Sequence, residues 1–128
     1  MRTIIKISVA FVFLTVLCAV ACARESVNVR IDYGSAHQSR EVEAQWKEGI
    51  TALEALQSVA QVETHQTGDY IFVTSIDGVK GRCGDMAWYY EINGKRADRL
   101  AYERVLDKDE STRWIYTRDV CSPKVDKE

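Results

Sequence analysis

Nucleophiles, bases and metal ligands are scarce in this chain, which has two histidines, His37 and His65, and four cysteines in 128 residues. Ser58, Ser75 and Ser111 have no histidine close by to act as a base, and no glycine-rich loop of the phosphate-cradling kind occurs. Asp107, Asp109 and Glu110 crowd one turn with Lys108 among them. They lack the ordered ligand spacing of a calcium loop, so the turn reads as solvated. Neither histidine is spaced from a cysteine as zinc ligands are, and no metal site is expected. An imidazole such as His65 could in principle coordinate cobalt. It falls in a polar run, Glu63 to Gly68, that nothing in the sequence places near the aromatic residues. Binding rather than catalysis is the expectation: a non-enzyme.

The first residues read as a targeting segment. Arg2 and Lys6 precede an apolar run from Ile7 to Leu17, and small residues follow around Ala19 to Ala23, which is the pattern of a signal peptide over residues 1–23. The run is too short to span a bilayer and no second one follows, so no transmembrane segment is expected. Cleavage after Ala23 discards Cys18 and Cys22. A competing lipobox reading, Ala19-Val20-Ala21-Cys22 with alanine where the motif usually has leucine, would lipidate Cys22. The product is then secreted, extracellular or periplasmic, or lipid-anchored on the second reading. Either route leaves Cys83 and Cys121, which in an oxidising compartment are expected to form a disulfide. A staple closing a loop of several tens of residues is worth about 3 to 4 kcal/mol on the chain-entropy account. Losing Arg2 and Lys6 leaves 15 basic residues (17 minus 2) against 19 acidic ones, a balance that argues against nucleic acid as partner.

The elements that would position any site centre on Met86-Ala87-Trp88-Tyr89-Tyr90-Glu91-Ile92, an aromatic strand running into Asn93-Gly94. Asn-Gly accepts positive φ at both central positions of a type I′ hairpin, so the chain is expected to double back there. Strand alternation puts Met86, Trp88, Tyr90 and Ile92 on the core face and Ala87, Tyr89 and Glu91 on the other. Tyr70 to Ile76, closed by Asp77-Gly78, and Thr112 to Tyr116 read as further strands. Upstream, Ser26 to Tyr33 alternates cleanly, and Ser39 to Trp46 resumes the alternation after a turn, which makes a hairpin. Thr51 and Glu54 have capping-box spacing, each side chain expected to reach the other's backbone N–H. Behind them Ala52, Leu53, Leu56, Val59 and Ala60 form one apolar stripe. The sum is α+β and β-grasp-like, ββαβββ, with one helix packed on a mixed sheet whose first and last strands lie side by side. The domain is expected over residues 24–121, followed by a frayed tail, 122–128, with the only proline.

As a set, these motifs resemble the β-grasp domain at the C-terminal end of transcobalamin and intrinsic factor, a domain also found in bacterial surface proteins. The matching residues are Val27-Asn28-Val29-Arg30-Ile31-Asp32-Tyr33-Gly34, Gly49 to Leu56, Tyr70-Ile71, Ser75 to Val79, Trp88 to Lys95 and Trp114-Ile115-Tyr116. The resemblance implies a ligand-binding or capping module, with cobalamin as the bound ligand. In the cobalamin carriers such a domain closes over a corrinoid held against a separate α-helical domain, so weak binding alone, or work with a partner protein, is expected here. The hairpin residues Tyr89, Glu91, Asn93 and Lys95 are the expected contacts. The alternative is a structural or adhesion domain that meets another protein at the cell surface through a sheet edge.

Overall fold

A computed structural model describes residues 25–120. The signal-peptide and lipobox expectations at 1–23, Cys121 and the tail 122–128 lie outside the described residues. Strand β1 (Ser26–Asp32) and strand β2 (Arg40–Gln45) form the expected antiparallel hairpin, Val29 opposite Val42. Val27, Val29 and Ile31 alternate inward along β1 and are fully buried. Helix α1 (Ala52–Val59) begins at Thr51, whose hydroxyl accepts the Glu54 N–H at 3.2 Å. The reciprocal half of the box differs from expectation. The Glu54 carboxylate takes the Thr51 hydroxyl at 3.1 Å rather than the Thr51 N–H. Ala52, Leu53, Ala55 and Leu56 are buried, and α1 packs on β1 and β2. Among the described residues no helix is long and apolar enough to cross a membrane.

After the helix the chain forms β3 (Val62–Thr67), β4 (Tyr70–Ile76) and the two-residue β5 (Val79–Lys80), and then β6 (Met86–Ile92), β7 (Lys95–Arg96) and β8 (Ser111–Arg118). The larger sheet has the order β2-β1-β8-β6-β7. First and last strands lie side by side and parallel, Ile31 opposite Trp114, as the β-grasp expectation requires. Asn93 and Gly94 have φ of 51° and 79° and return the chain from β6 to β7 with Ile92 opposite Lys95. Trp88, Tyr90 and Ile92 are buried, while Met86 is only half-buried near the strand's start. Trp114 stacks on Tyr90 at 4.8 Å between ring centroids.

One expectation is corrected. Tyr70 to Ile76 does not join the aromatic sheet. It pairs with β3 and β5 in a second sheet of order β3-β4-β5, so the chain has more strands than ββαβββ. The polar run Glu63 to Gly68, which is not among the strands read from the sequence, supplies most of β3. Its side chains from Glu63 to Thr67 are exposed, so it carries no apolar alternation to announce a strand. Backbone pairing with β4 is what makes it one.

Candidate functional site

The two sheets meet along β5 and the segment after it. Gly81 N–H donates to Thr74 O at 2.8 Å, and Arg82 exchanges two backbone bonds with Met86, at 2.7 and 2.9 Å. A Cβ on Gly81 would come within 3.3 Å of Met86 O and 3.4 Å of Thr74 O, so this crossing is built for glycine. Side chains add to the join. Trp88 Nε1 donates to Val79 O at 2.8 Å, and the Tyr116 hydroxyl donates to Lys80 O at 2.8 Å. Trp88 is also set edge-on to Tyr33, with centroids 5.9 Å apart.

The β3–β4 hairpin is held at both ends. At its base, the Asp77 carboxylate accepts from the Tyr33 hydroxyl, from Arg40 at 2.9 Å and from Gln61 N–H at 3.0 Å. Burial pushes the Asp77 carboxyl up, but those donors outweigh it and hold the group below the usual carboxylate range. The same arrangement raises Tyr33, through burial first and then the hydrogen bond to Asp77. At the hairpin tip, the Tyr102 hydroxyl bonds Asp69 O at 2.8 Å. Its hydrogen bond to the Glu103 carboxylate pushes its pKa up to about 12.

Between this hairpin and β6 lies a cleft of about 670 Å³, within the range of roughly 300 to 1,000 Å³ that suits a small-molecule ligand. One wall comes from the hairpin, with His65, Phe72, Val73 and Thr74. The second comes from β6, Met86 to Tyr90, and the ends are closed by Gly81 to Cys83 and by Arg96 to Leu100. The lining is largely aromatic and aliphatic, with Arg82, Arg96 and Arg99 set against Asp98 and Asp119. Tyr90 points its hydroxyl to Arg99 O, and burial pushes its pKa up to about 12. It therefore stays a neutral donor.

The backbone of β6 contributes an edge. Asn93 N–H donates to Ser111 O, and Asp119 N–H to Asp85 O, so antiparallel alternation turns the odd-numbered residues of β6 toward β8 and the even-numbered ones away. On that outer side Arg82 pairs with Met86, and Ala97 N–H donates to Tyr90 O at 3.2 Å. Between them, among the described residues, no strand pairs with Trp88 on the side away from β8.

Of the four contact residues read from the sequence, Tyr89 lines the cleft. Arg96 lies over its ring, 4.7 Å from the centroid, and its hydroxyl bonds Asp119 at 3.2 Å. The other three are elsewhere. Glu91 faces Arg113, 3.8 Å away on β8. Asn93 accepts the Ser111 N–H at 2.9 Å, and Lys95 is exposed at the hairpin tip. Cys83 is exposed at the end of the cleft. Phe72 is a residue that sequence reasoning left out of the site, and His65, weighed there as a possible cobalt ligand, is one that it could not place near the aromatic residues. They are direct partners across β3 and β4, and recognising β3 as a strand would have put His65 beside an aromatic. Among the described residues no group of three or more His, Cys, Asp or Glu side chains could hold a bare metal ion.

This is an α+β domain whose smaller sheet overhangs a cleft at the edge of a mixed larger one. Residues 49–118 match the family described as a domain of unknown function, DUF4430, and the chain belongs to that family. No curated protein matches the chain at a significant level. Among solved structures it is similar to a protein of Ruminococcus gnavus ATCC 29149 that its description proposes to bind metal, with 12% identity and a TM-score of 0.59, over 74% of this chain and 98% of that one. It is also similar to haptocorrin in complex with Cbi, with 14% identity and a TM-score of 0.56, over 73% of this chain and 25% of that one. At such identities the likeness is one of fold, and this chain corresponds to about a quarter of haptocorrin.

Proposed function

We propose that the domain is a secreted, non-enzymatic binding module that covers one face of a planar, corrinoid-like ligand, with the ligand's other face held by a partner protein. The observation that carries this reading is the aromatic cleft between β6 and the β3–β4 hairpin, in a fold shared with haptocorrin in complex with Cbi. The lining fits such a ligand. Phe72, Trp88 and Tyr89 offer apolar ring surface, and Arg82, Arg96 and Arg99 offer donors to polar groups on a ligand's rim. A cleft open on one side removes little ligand area from water, so affinity of the isolated domain is expected to be weak, about micromolar or poorer. Titration with cobinamide and with cobalamin, followed by tryptophan fluorescence and by the absorption of the corrinoid, tests the reading. Failure to bind either ligand, with and without candidate partner proteins, defeats it.

The second reading, protein contact through a sheet edge, draws on β3. It pairs with β4 on one side only among the described residues, and its outer edge is open. Lengthwise addition of a partner strand there would use backbone bonds. Proline at Gln66 would then weaken partner binding while leaving corrinoid binding alone.

A further inference from the structure

We propose that His65 supplies an axial nitrogen ligand to the metal of a planar macrocycle seated in the cleft; this deepens the corrinoid reading above and rests on it. His65 is opposite Phe72 in the antiparallel register of β3 and β4, so the two side chains stand on the same face of the hairpin. Both line the cleft, across from Trp88 and Tyr89 of β6. A flat ligand entering there meets aromatic side chains and one imidazole together.

The imidazole is also available. His65 is exposed, and its side chain has no hydrogen bond or ion pair among the described residues. His37, by contrast, is set edge-on to Tyr33 with centroids 5.6 Å apart, and it does not line the cleft. Ligand number then selects the class of metal. A bare transition ion usually takes three or four protein ligands, more than this cleft gathers. A metal already chelated in the plane of a macrocycle asks the protein only for an axial donor, and imidazole nitrogen is a good one. A cobalt corrinoid and an iron porphyrin share that requirement. In the binding step the imidazole lone pair forms the new bond and a metal-bound water leaves, with no change in oxidation state.

The test uses the full mature chain at pH 8 with two probes in separate arms, diaquocobinamide and haemin, and two readouts. Retention on ultrafiltration reports binding, and the visible absorption bands report what sits on the metal. Wild-type protein is expected to retain one probe and shift its bands as nitrogen replaces water; which arm responds names the metal. His65→Ala should lose the band shift, and added free imidazole should restore it, while His37→Ala should behave as wild type. Circular dichroism of His65→Ala separates a lost ligand from a lost fold. Retention of diaquocobinamide without a band shift, or an unchanged shift in His65→Ala, overturns the assignment of His65 but leaves the corrinoid reading standing, whereas retention of haemin alone overturns the corrinoid reading. Retention of neither probe, alone and with candidate partner proteins present, overturns both.

Discussion

The Tyr33 hydroxyl at the end of β1 donates to the Asp77 carboxylate in the turn that ends β4. One hydrogen bond thus ties the larger sheet to the smaller, and Arg40 from the start of β2 reinforces it at 2.9 Å. Asp77 itself has φ of 49°, a conformation that aspartate tolerates better than most residues.

The charge on Asp77 should therefore matter at low pH. Its folded pKa is held below that of an ordinary aspartate, so the stabilisation is present above the unfolded pKa and is lost as pH falls through the lower folded pKa. Asp32 is depressed too, through the Arg113 hydrogen bond and the Gly34 N–H, and adds to the same window. Asp77→Asn should destabilise at pH 7 and lessen the acid-side dependence. Urea midpoints at pH 7 and at pH 3 for both proteins measure this; parallel pH curves would count against it.

Strand parity separates neighbours on β6. Trp88 is 8% exposed and donates to Val79 O, so Trp88→Ala should cost about 3 to 5 kcal/mol. Tyr89 is half-buried, with its hydroxyl near Asp119 and its ring under Arg96, and Tyr89→Ala should cost much less. Equilibrium denaturation of the two variants gives the comparison.

Gly81→Ala should destabilise by about 1 to 3 kcal/mol, because the added methyl meets the carbonyls of Met86 and Thr74 rather than a movable side chain. Gly68→Ala, where no neighbouring atom lies within 4 Å but φ is 59°, isolates the cost of backbone strain alone.

Cys83 adjoins Gly84, whose N–H donates to Asp119 at 2.9 Å, and Cys121 follows two residues later in the sequence. The mature protein is expected to resist alkylation at both cysteines until it is reduced. Intact mass before and after reductant shows whether the staple exists.

How far the sequence carried the reading varies by element. Alternation exposed β1 and the core face of β6 because a half-buried strand sorts its residues by side. Asn93-Gly94 marked its hairpin because few residues accept positive φ twice in succession. β3 escaped because its exposed residues carry no such sorting, and with it went the second sheet, the cleft and the place of His65. The contact residues were sought on the outer face of β6 and at its hairpin tip, and of these Tyr89 lines the cleft. The wall opposite depends on chain distant in sequence, which no local pattern reports.

The parallel pairing of β1 with β8 has a consequence for how the protein is made. Asn28 and Ser111 are register partners in the middle of the sheet, yet the second is synthesised long after the first. Such long-range pairing brings folding late, since the loop-closure entropy must be met before the contacts form. Until β8 emerges, β1 has only β2 beside it, and Val27, Val29 and Ile31 lack the strand that completes their cover. A chain ending before Ser111 would therefore lack that cover and be left for proteases.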